Sequence, residues 1–209
     1  MELAAQLMLG MGLAACAGLR AWLPLLLLSV MARTGYITLG AGFEFLARED
    51  ALVILGVATI IEVVADKVVG LDHLLDAVGT IARPAAGAVL ASAVLVNLDP
   101  LAAAILGLIA GGASSLLVHS SKSIVRAKTT ALVPIHGGAG NAVVSTAEDM
   151  ASGAGAWMIL SNPAIAVVVV VPTILIGGWI VYRALRGVRS LRTGLRRRSN
   201  GAHPALRHE

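Results

Sequence analysis

Six long apolar segments follow one another along this chain and limit its fold more than any other feature. A helix that crosses a bilayer needs about 20 predominantly apolar residues. Hydrophobic residues make up 57% of the chain and charged residues 13%, about half the charged fraction of a typical soluble domain. The segments are residues 5–32, 51–69, 81–98, 101–119, 139–160 and 164–182. The sequence therefore predicts an all-α polytopic membrane protein with six transmembrane helices.

Basic residues are unevenly distributed between the two sides that six spans would define. Residues 33–50, 97–100 and 161–163 connect spans on one side and contain two basic residues, Arg33 and Arg48. The basic residues of the other side are Lys67, Arg83, Lys122, Arg126, Lys128 and the C-terminal arginines. Because an excess of basic residues marks the cytoplasmic side, we predict that both termini lie in the cytoplasm.

The C-terminal tail, residues 183–209, differs in character from the transmembrane domain that we predict for residues 1–182. The tail contains eight arginines and one glutamate, and its apolar residues Leu185, Val188, Leu191 and Leu195 follow helical spacing. We interpret it as a basic amphipathic helix, partly disordered, that binds anionic lipids of the cytoplasmic leaflet. Nucleic-acid binding is disfavoured because the arginine run lacks aromatic residues for stacking on bases.

Charged side chains inside the predicted spans are costly unless they are paired. One charge at the bilayer centre costs about 2.5–3.5 kcal/mol on insertion scales, so we expect such residues to face the bundle interior. Glu62 and Asp66 share a face of the second predicted helix because they lie four residues apart. Glu148 and Asp149 lie at a similar depth in the fifth predicted helix. The acids of two helices should therefore meet in a polar interior.

The basic partners of these acids are fewer than the acids themselves. Arg20, in the first predicted span, and Lys67, near the end of the second, are the evident counter-ions of the four carboxylates. The excess acids would be protonated or neutralised by a bound cation, as in a proton relay. We therefore expect a transporter or channel for a small ion or solute, linked to protons or another cation.

Two other functions fit the same charges. The first is an anion or lipid-phosphate carrier, and its residues would be Arg20, Lys67, Arg83, His119 and Lys122. The second is a scaffold without transport activity, in which the charges only pair. Expected partners are the lipid bilayer and the small ion or solute, and a homo-oligomer remains open.

Small residues recur every four positions in two predicted spans. They are Gly10, Ala14 and Gly18 in the first span, and Gly107, Gly111, Ser115 and His119 in the fourth. Such stripes let helices approach closely in lipid, so we interpret them as packing surfaces; a pathway lined by small residues is the alternative. Pro24 removes a backbone hydrogen bond and is expected to bend the first span near Arg20.

The segment GLDHLLD, after the second span, combines apolar and charged residues at helical spacing. We interpret residues 71–81 as an interfacial or re-entrant helix, with the third span starting at Arg83 and Pro84. Asp72, His73 and Asp76 could bind a metal ion, although hydration and helix capping explain them as well. The predicted ion-binding residues are Arg20, Glu62, Asp66, Lys67, Asp72, Asp76, His119, Glu148 and Asp149. We find no catalytic motif and expect neither enzymatic activity nor a cofactor.

Three runs of the sequence resemble a known family. AGLRAWLPL, VVADKVVGLDHLLDAVGTIARP and STAED are similar to the small bacterial membrane proteins of the domain of unknown function family 4126, over about residues 12–160. The resemblance implies a location in the bacterial inner membrane and supplies no substrate. An internal repeat is left open, with two alternative pairings: spans two and three with four and five, or, in an inverted arrangement, span two with span five.

Overall fold

A computed structural model describes the backbone of residues 2–68, 71–132 and 138–201, and the side chains of this part except at 71–76, 126–132, 138–142 and 187–201. The described chain contains helices and no β-strand, which confirms the all-α prediction. The helices are α1 (Leu3–Leu19), α2 (Trp22–Arg33), α3 (Glu49–Ala65), α4 (Leu71–Ala93), α5 (Pro100–Leu106), α6 (Gly112–Leu132), α7 (Gly138–Ser161) and α8 (Ile165–Gly201).

Helix α1 occupies the centre of the bundle. It packs against α4, α6, α7 and α8, and α3 lies at the periphery, mainly against α2. A 3-10 turn, Glu44–Ala47, precedes α3. It is bound to α2 by a hydrogen bond from the Ser29 hydroxyl to the Leu46 carbonyl oxygen. This arrangement surrounds the C-terminal end of α1 with other helices.

The first predicted span is two helices instead of one bent helix. Arg20 has extended backbone angles (φ −138°, ψ 120°), so α1 ends at Leu19 and α2 begins at Trp22. Pro24 lies in the first turn of α2, where a missing N–H breaks no intrahelical hydrogen bond. The sequence analysis was therefore wrong about the cause and the sharpness of the bend.

The fourth predicted span extends beyond its expected end. The Asp99 carboxylate accepts hydrogen bonds from the backbone N–H groups of Leu101 and Ala102 (3.1 and 3.0 Å), and Pro100 occupies the first helical position. A π-helical turn, Gly107–Gly111, joins α5 to α6 without a break, and the helix continues to Leu132. Lys122, which the sequence analysis placed beyond the fourth span on the predicted cytoplasmic side, is therefore part of the helix that continues this span.

Two further boundaries differ from those expected. The segment interpreted as a separate interfacial helix and the third predicted span form one helix, α4, with Pro84 inside it. The basic tail continues α8 as far as Gly201, so it is helical without a break from the apolar part. Two stretches among the described residues are long and apolar enough to cross a membrane, Pro100–Val125 and Ile165–Arg186; α1, α2 and Ala77–Ala93 are apolar but shorter.

Small residues bring α1, α4 and α6 into close contact, as the stripes predicted. A Cβ atom added at Gly10 would lie 2.9 Å from Ala91 Cα, and one added at Gly18 would lie 2.6 Å from the Ser115 carbonyl oxygen. A Cβ at Gly87 would lie 2.6 Å from Ser115 Cβ and 2.8 Å from the Gly111 carbonyl oxygen. The three helices approach closely because side chains are missing at their contacts.

We expect Gly87→Ala to lower the thermal unfolding temperature in detergent, because the added methyl group overlaps atoms of α6. Overpacking of this kind costs about 1–3 kcal/mol. Gly56→Ala is the matched control, since nothing lies within 4 Å of a Cβ at that helical position and both changes carry the same gain in helix propensity. Equal unfolding temperatures for the two variants would contradict the close contact.

Candidate functional site

The break between α1 and α2 places a charged side chain in the core. The Arg20 side chain is 1% exposed, and its Nη2 donates to Oδ2 of Asp66 at 2.6 Å and to Oγ of Ser145 at 2.7 Å. Asp66 follows the last residue of α3 and Ser145 lies in α7. Arg20 therefore ties the end of α3 to the middle of α7.

Asp149 is the second acidic partner of Arg20. Its Oδ1 lies 2.6 Å from Arg20 Nε, but the N–H bond does not point at the oxygen, so the contact is an ion pair without hydrogen-bond geometry. Its Oδ2 accepts a hydrogen bond from Lys67 Nζ at 2.9 Å. Asp149 thus lies between a buried cation and a cation that is 35% exposed.

Glu62 serves the other side of the helix break. Its two carboxylate oxygens accept hydrogen bonds from the backbone N–H groups of Ala21 (3.0 Å) and Trp22 (3.2 Å). The first N–H groups of a helix have no partner within the helix, and the helix dipole favours a negative charge there. Glu62, reaching across from α3, therefore acts as a tertiary N-cap of α2.

Lys122 serves the C-terminal end of α1. Its Nζ lies 2.7 Å from Oε2 of Glu148 and donates to the Leu19 carbonyl oxygen at 3.5 Å. A positive charge near a helix C-terminus is favourable. Both new helix ends are therefore stabilised by charges from other helices: an acid at the start of α2 and a base at the end of α1.

These residues form one ionic group, which we call the Arg20 cluster. Its members are Arg20, Glu62, Asp66, Lys67, Lys122, Ser145, Glu148 and Asp149. Among the described side chains of this cluster, four carboxylates face three cations, and the Glu62 carboxylate binds the N-terminus of α2. Sequence reasoning found two of these cations and missed Lys122 as a partner of Glu148.

His119 belongs to a different group. Its Nδ1 contacts Nη1 of Arg83, and its Nε2 lies 3.3 Å from the Thr80 hydroxyl. Since a guanidinium can only donate, Nδ1 is the acceptor and the proton of the neutral ring is on Nε2. The Ser115 hydroxyl donates to the Arg83 carbonyl oxygen at 2.7 Å. This group joins α4 to α6.

The remaining predicted residues do not contribute to the described geometry. The side chains of Asp72, His73 and Asp76 lie outside the described residues. Within the described part, no group of three or more His, Cys, Asp or Glu side chains could hold a metal ion.

A cavity of about 430 Å³ lies between α6, α7 and α8 and opens at the surface of the bundle. Its walls are mainly apolar, with Val118, Val125 and Val144 among them. Lys122 and Glu148 also line it, so the cavity reaches the Arg20 cluster through their ion pair. Lys122 follows Ser115 and His119 at helical spacing and so extends the small-residue stripe of α6. This spacing was the feature of the sequence that could have placed Lys122 on the inward face of a helix.

These features define an α-helical bundle with an ionic cluster at a broken central helix. The sequence profile described as "Domain of unknown function (DUF4126)" matches residues 7–183, and the chain belongs to this family. This match confirms the resemblance seen in the sequence. No curated protein and no solved structure matches the chain significantly.

Proposed function

We propose that the chain is a six-span protein of the bacterial inner membrane with both termini in the cytoplasm. The distribution of side chains supports this proposal. Ile60, Leu101 and Val168 are 65%, 70% and 70% exposed, whereas Arg20 and Arg83 are each 1% exposed. Soluble monomers rarely expose large apolar patches, and a bilayer favours charges that face the bundle interior.

The end of the apolar part of α8 supports the same placement. Arg183 lies over the Trp179 ring at 5.1 Å, and Arg186 over the Tyr182 ring at 5.8 Å. Tryptophan and tyrosine are enriched at membrane interfaces, and basic residues at the cytoplasmic one. The pairs therefore fit the cytoplasmic end of the last span.

Within this membrane protein, we propose a transport function for the Arg20 cluster. It moves a small ion or solute, with Asp66 and Asp149 binding a proton or another cation. The observation that carries this proposal is the break of α1 and α2 at a buried Arg20 shared by acids of α3 and α7. Transporters commonly form their sites at discontinuous helices, whose free ends and flanking charges receive the ion or substrate.

Protonation offers a mechanism for such coupling. Asp149 forms ion pairs with Arg20 and Lys67, and Asp66 forms an ion pair with the same Arg20. A proton on Asp149 would neutralise this carboxylate and weaken its ion pairs with Arg20 and Lys67. Because Asp149 is 17% exposed, it is the carboxylate of the pair that water reaches.

An anion carrier is the second candidate. The Arg20 nitrogen Nη1 is buried and has no hydrogen-bond acceptor among the described residues. A buried donor without an acceptor is costly, so this nitrogen favours an acceptor supplied from outside the chain, such as an anion.

We expect Asp149→Asn to abolish proton flux into proteoliposomes under an imposed pH gradient, because the amide cannot take up the proton. A pH-sensitive dye inside the vesicles measures the flux. Asp50→Asn is the matched control, since Asp50 is 57% exposed and pairs only locally, with Arg48.

The other outcomes separate the candidates. Flux that follows an anion gradient and persists in Asp149→Asn would favour the anion carrier. If folded wild-type protein gives no flux with any gradient, the cluster is a scaffold.

A further inference from the structure

The cavity between α6, α7 and α8 combines apolar walls with one ion pair. We propose that it is the substrate site of the transporter and that it binds a zwitterionic solute with an apolar body, as in an α-amino acid with an aliphatic side chain. This inference rests on the proposed transport function and adds the chemical class of the solute.

The ion pair selects for a ligand with both charges. Lys122 and Glu148 are 6% and 12% exposed and lie 2.7 Å apart. A singly charged ligand would compensate only one side of this pair, and separating a buried pair without compensation is strongly unfavourable. A zwitterion replaces the pair on both sides: its carboxylate binds Lys122 and its ammonium group binds Glu148.

The walls select for an apolar body. Val118, Val125, Val144, Ile176 and Ile180 line the cavity around the pair. A volume of about 430 Å³ lies in the range of small-molecule sites, which are mostly apolar with a few polar groups that fix orientation. The cavity therefore matches a small solute with one zwitterionic end and one aliphatic end.

The position of the pair links the solute to the proposed coupling residues. Glu148 precedes Asp149, and Lys122 Nζ reaches the Leu19 carbonyl oxygen, one residue before Arg20. A solute that takes over the contacts of Lys122 and Glu148 therefore acts directly beside the carboxylates that would carry the proton. No other charged side chain lines the cavity among the described residues.

The test compares three probes that share an aliphatic chain. Purified full-length protein in detergent is titrated calorimetrically with L-norleucine, with hexanoate, which lacks the amine, and with pentylamine, which lacks the carboxylate. We expect saturable binding of norleucine and at least about tenfold weaker binding of the other two, the change that loss of one charge-assisted contact brings. Equal binding of either analogue, or no binding of norleucine, would overturn the proposal.

Variants connect the binding to the cavity. The double variant Lys122→Met/Glu148→Gln removes both charges, so neither is left buried alone and the fold should persist; norleucine binding should fall by about tenfold or more. Glu49→Gln and Arg33→Met are the controls, because both residues are exposed and neither lines the cavity. Unchanged binding in the double variant would place norleucine elsewhere and refute the assignment.

Two further outcomes separate this inference from the transport function. If a tightly bound phospholipid co-purifies and norleucine does not displace it, as judged by native mass spectrometry, the cavity is a lipid site and the inference is wrong. If norleucine does not bind but proton flux still depends on Asp149, the substrate class is wrong and the transport proposal stands. If norleucine does not bind and proton flux does not depend on Asp149, both the substrate proposal and the transport proposal are wrong.

Discussion

Arg20→Met is expected to lower the free energy of unfolding by about 3–5 kcal/mol, the cost of removing one partner from a buried ion pair. The substitution removes the Arg20 cation from the Asp66 carboxylate, which is 1% exposed, and from Asp149, which among the described residues keeps Lys67. Because whole domains are stable by only about 5–15 kcal/mol, we expect a large loss of folded protein. Unfolding in mixed detergent micelles, followed by tryptophan fluorescence, measures the change.

Two further variants identify the cause of this loss. Arg20→Met/Asp66→Asn removes both charges of the buried Arg20–Asp66 pair, while Asp149 keeps Lys67 at 2.9 Å, so most of the stability should return. Arg33→Met is the exposed control: Arg33 lies 3.6 Å from Glu49, which is 83% exposed, and such pairs contribute about 0–1 kcal/mol. If Arg20→Met and Arg33→Met unfold alike, the buried pair does not hold the bundle together.

The sequence predicted the helical class and the contact between acids of different helices. Both follow from the free-energy cost of placing polar groups in apolar surroundings. Apolar segments of span length leave few alternatives to helices, and charges inside them have to face one another. The contact of Asp66 and Asp149 with Arg20 follows from this argument. Helical spacing likewise predicted the packing stripes through Gly10 and Gly18.

The break of the central helix was not predictable from local signals. The break itself, at Leu19, Arg20 and Ala21, contains no glycine or proline. Pro24 suggested only a bend nearby. The break is stable because charges from other helices satisfy both helix ends: Glu62 at α2 and Lys122 at α1. Such partners lie 41 and 103 residues away in the chain, so only the tertiary structure reveals them.

Lys122 was misplaced for a related reason. A basic residue after an apolar stretch is typical of a cytoplasmic loop, and the sequence contains no stop signal that distinguishes a loop from a continued helix. The continued helix α6 carries Lys122 to Glu148, so this acid of the cluster has a cation that the sequence analysis did not assign to it.

The capping role of Glu62 leads to the second large effect. Glu62→Leu is expected to destabilise the protein by about 2–6 kcal/mol, because two backbone N–H groups at the start of α2 lose their acceptor and each costs about 1–3 kcal/mol when it is left unsatisfied. Hydrogen exchange measured by mass spectrometry should show faster exchange in the first turn of α2, at Ala21 and Trp22, than in the wild-type protein.

A graded series tests whether Glu62 acts as a cap or as an ion-binding carboxylate. Glu62→Gln retains one side-chain oxygen that can accept a hydrogen bond but loses the charge that favours the helix N-terminus, so its destabilisation should lie between those of wild type and Glu62→Leu. Glu49→Gln, at the exposed start of the same helix, should leave exchange in α2 unchanged. If Glu62→Leu also leaves that exchange unchanged, α2 does not depend on its cap, and the charge of Glu62 is free for another role.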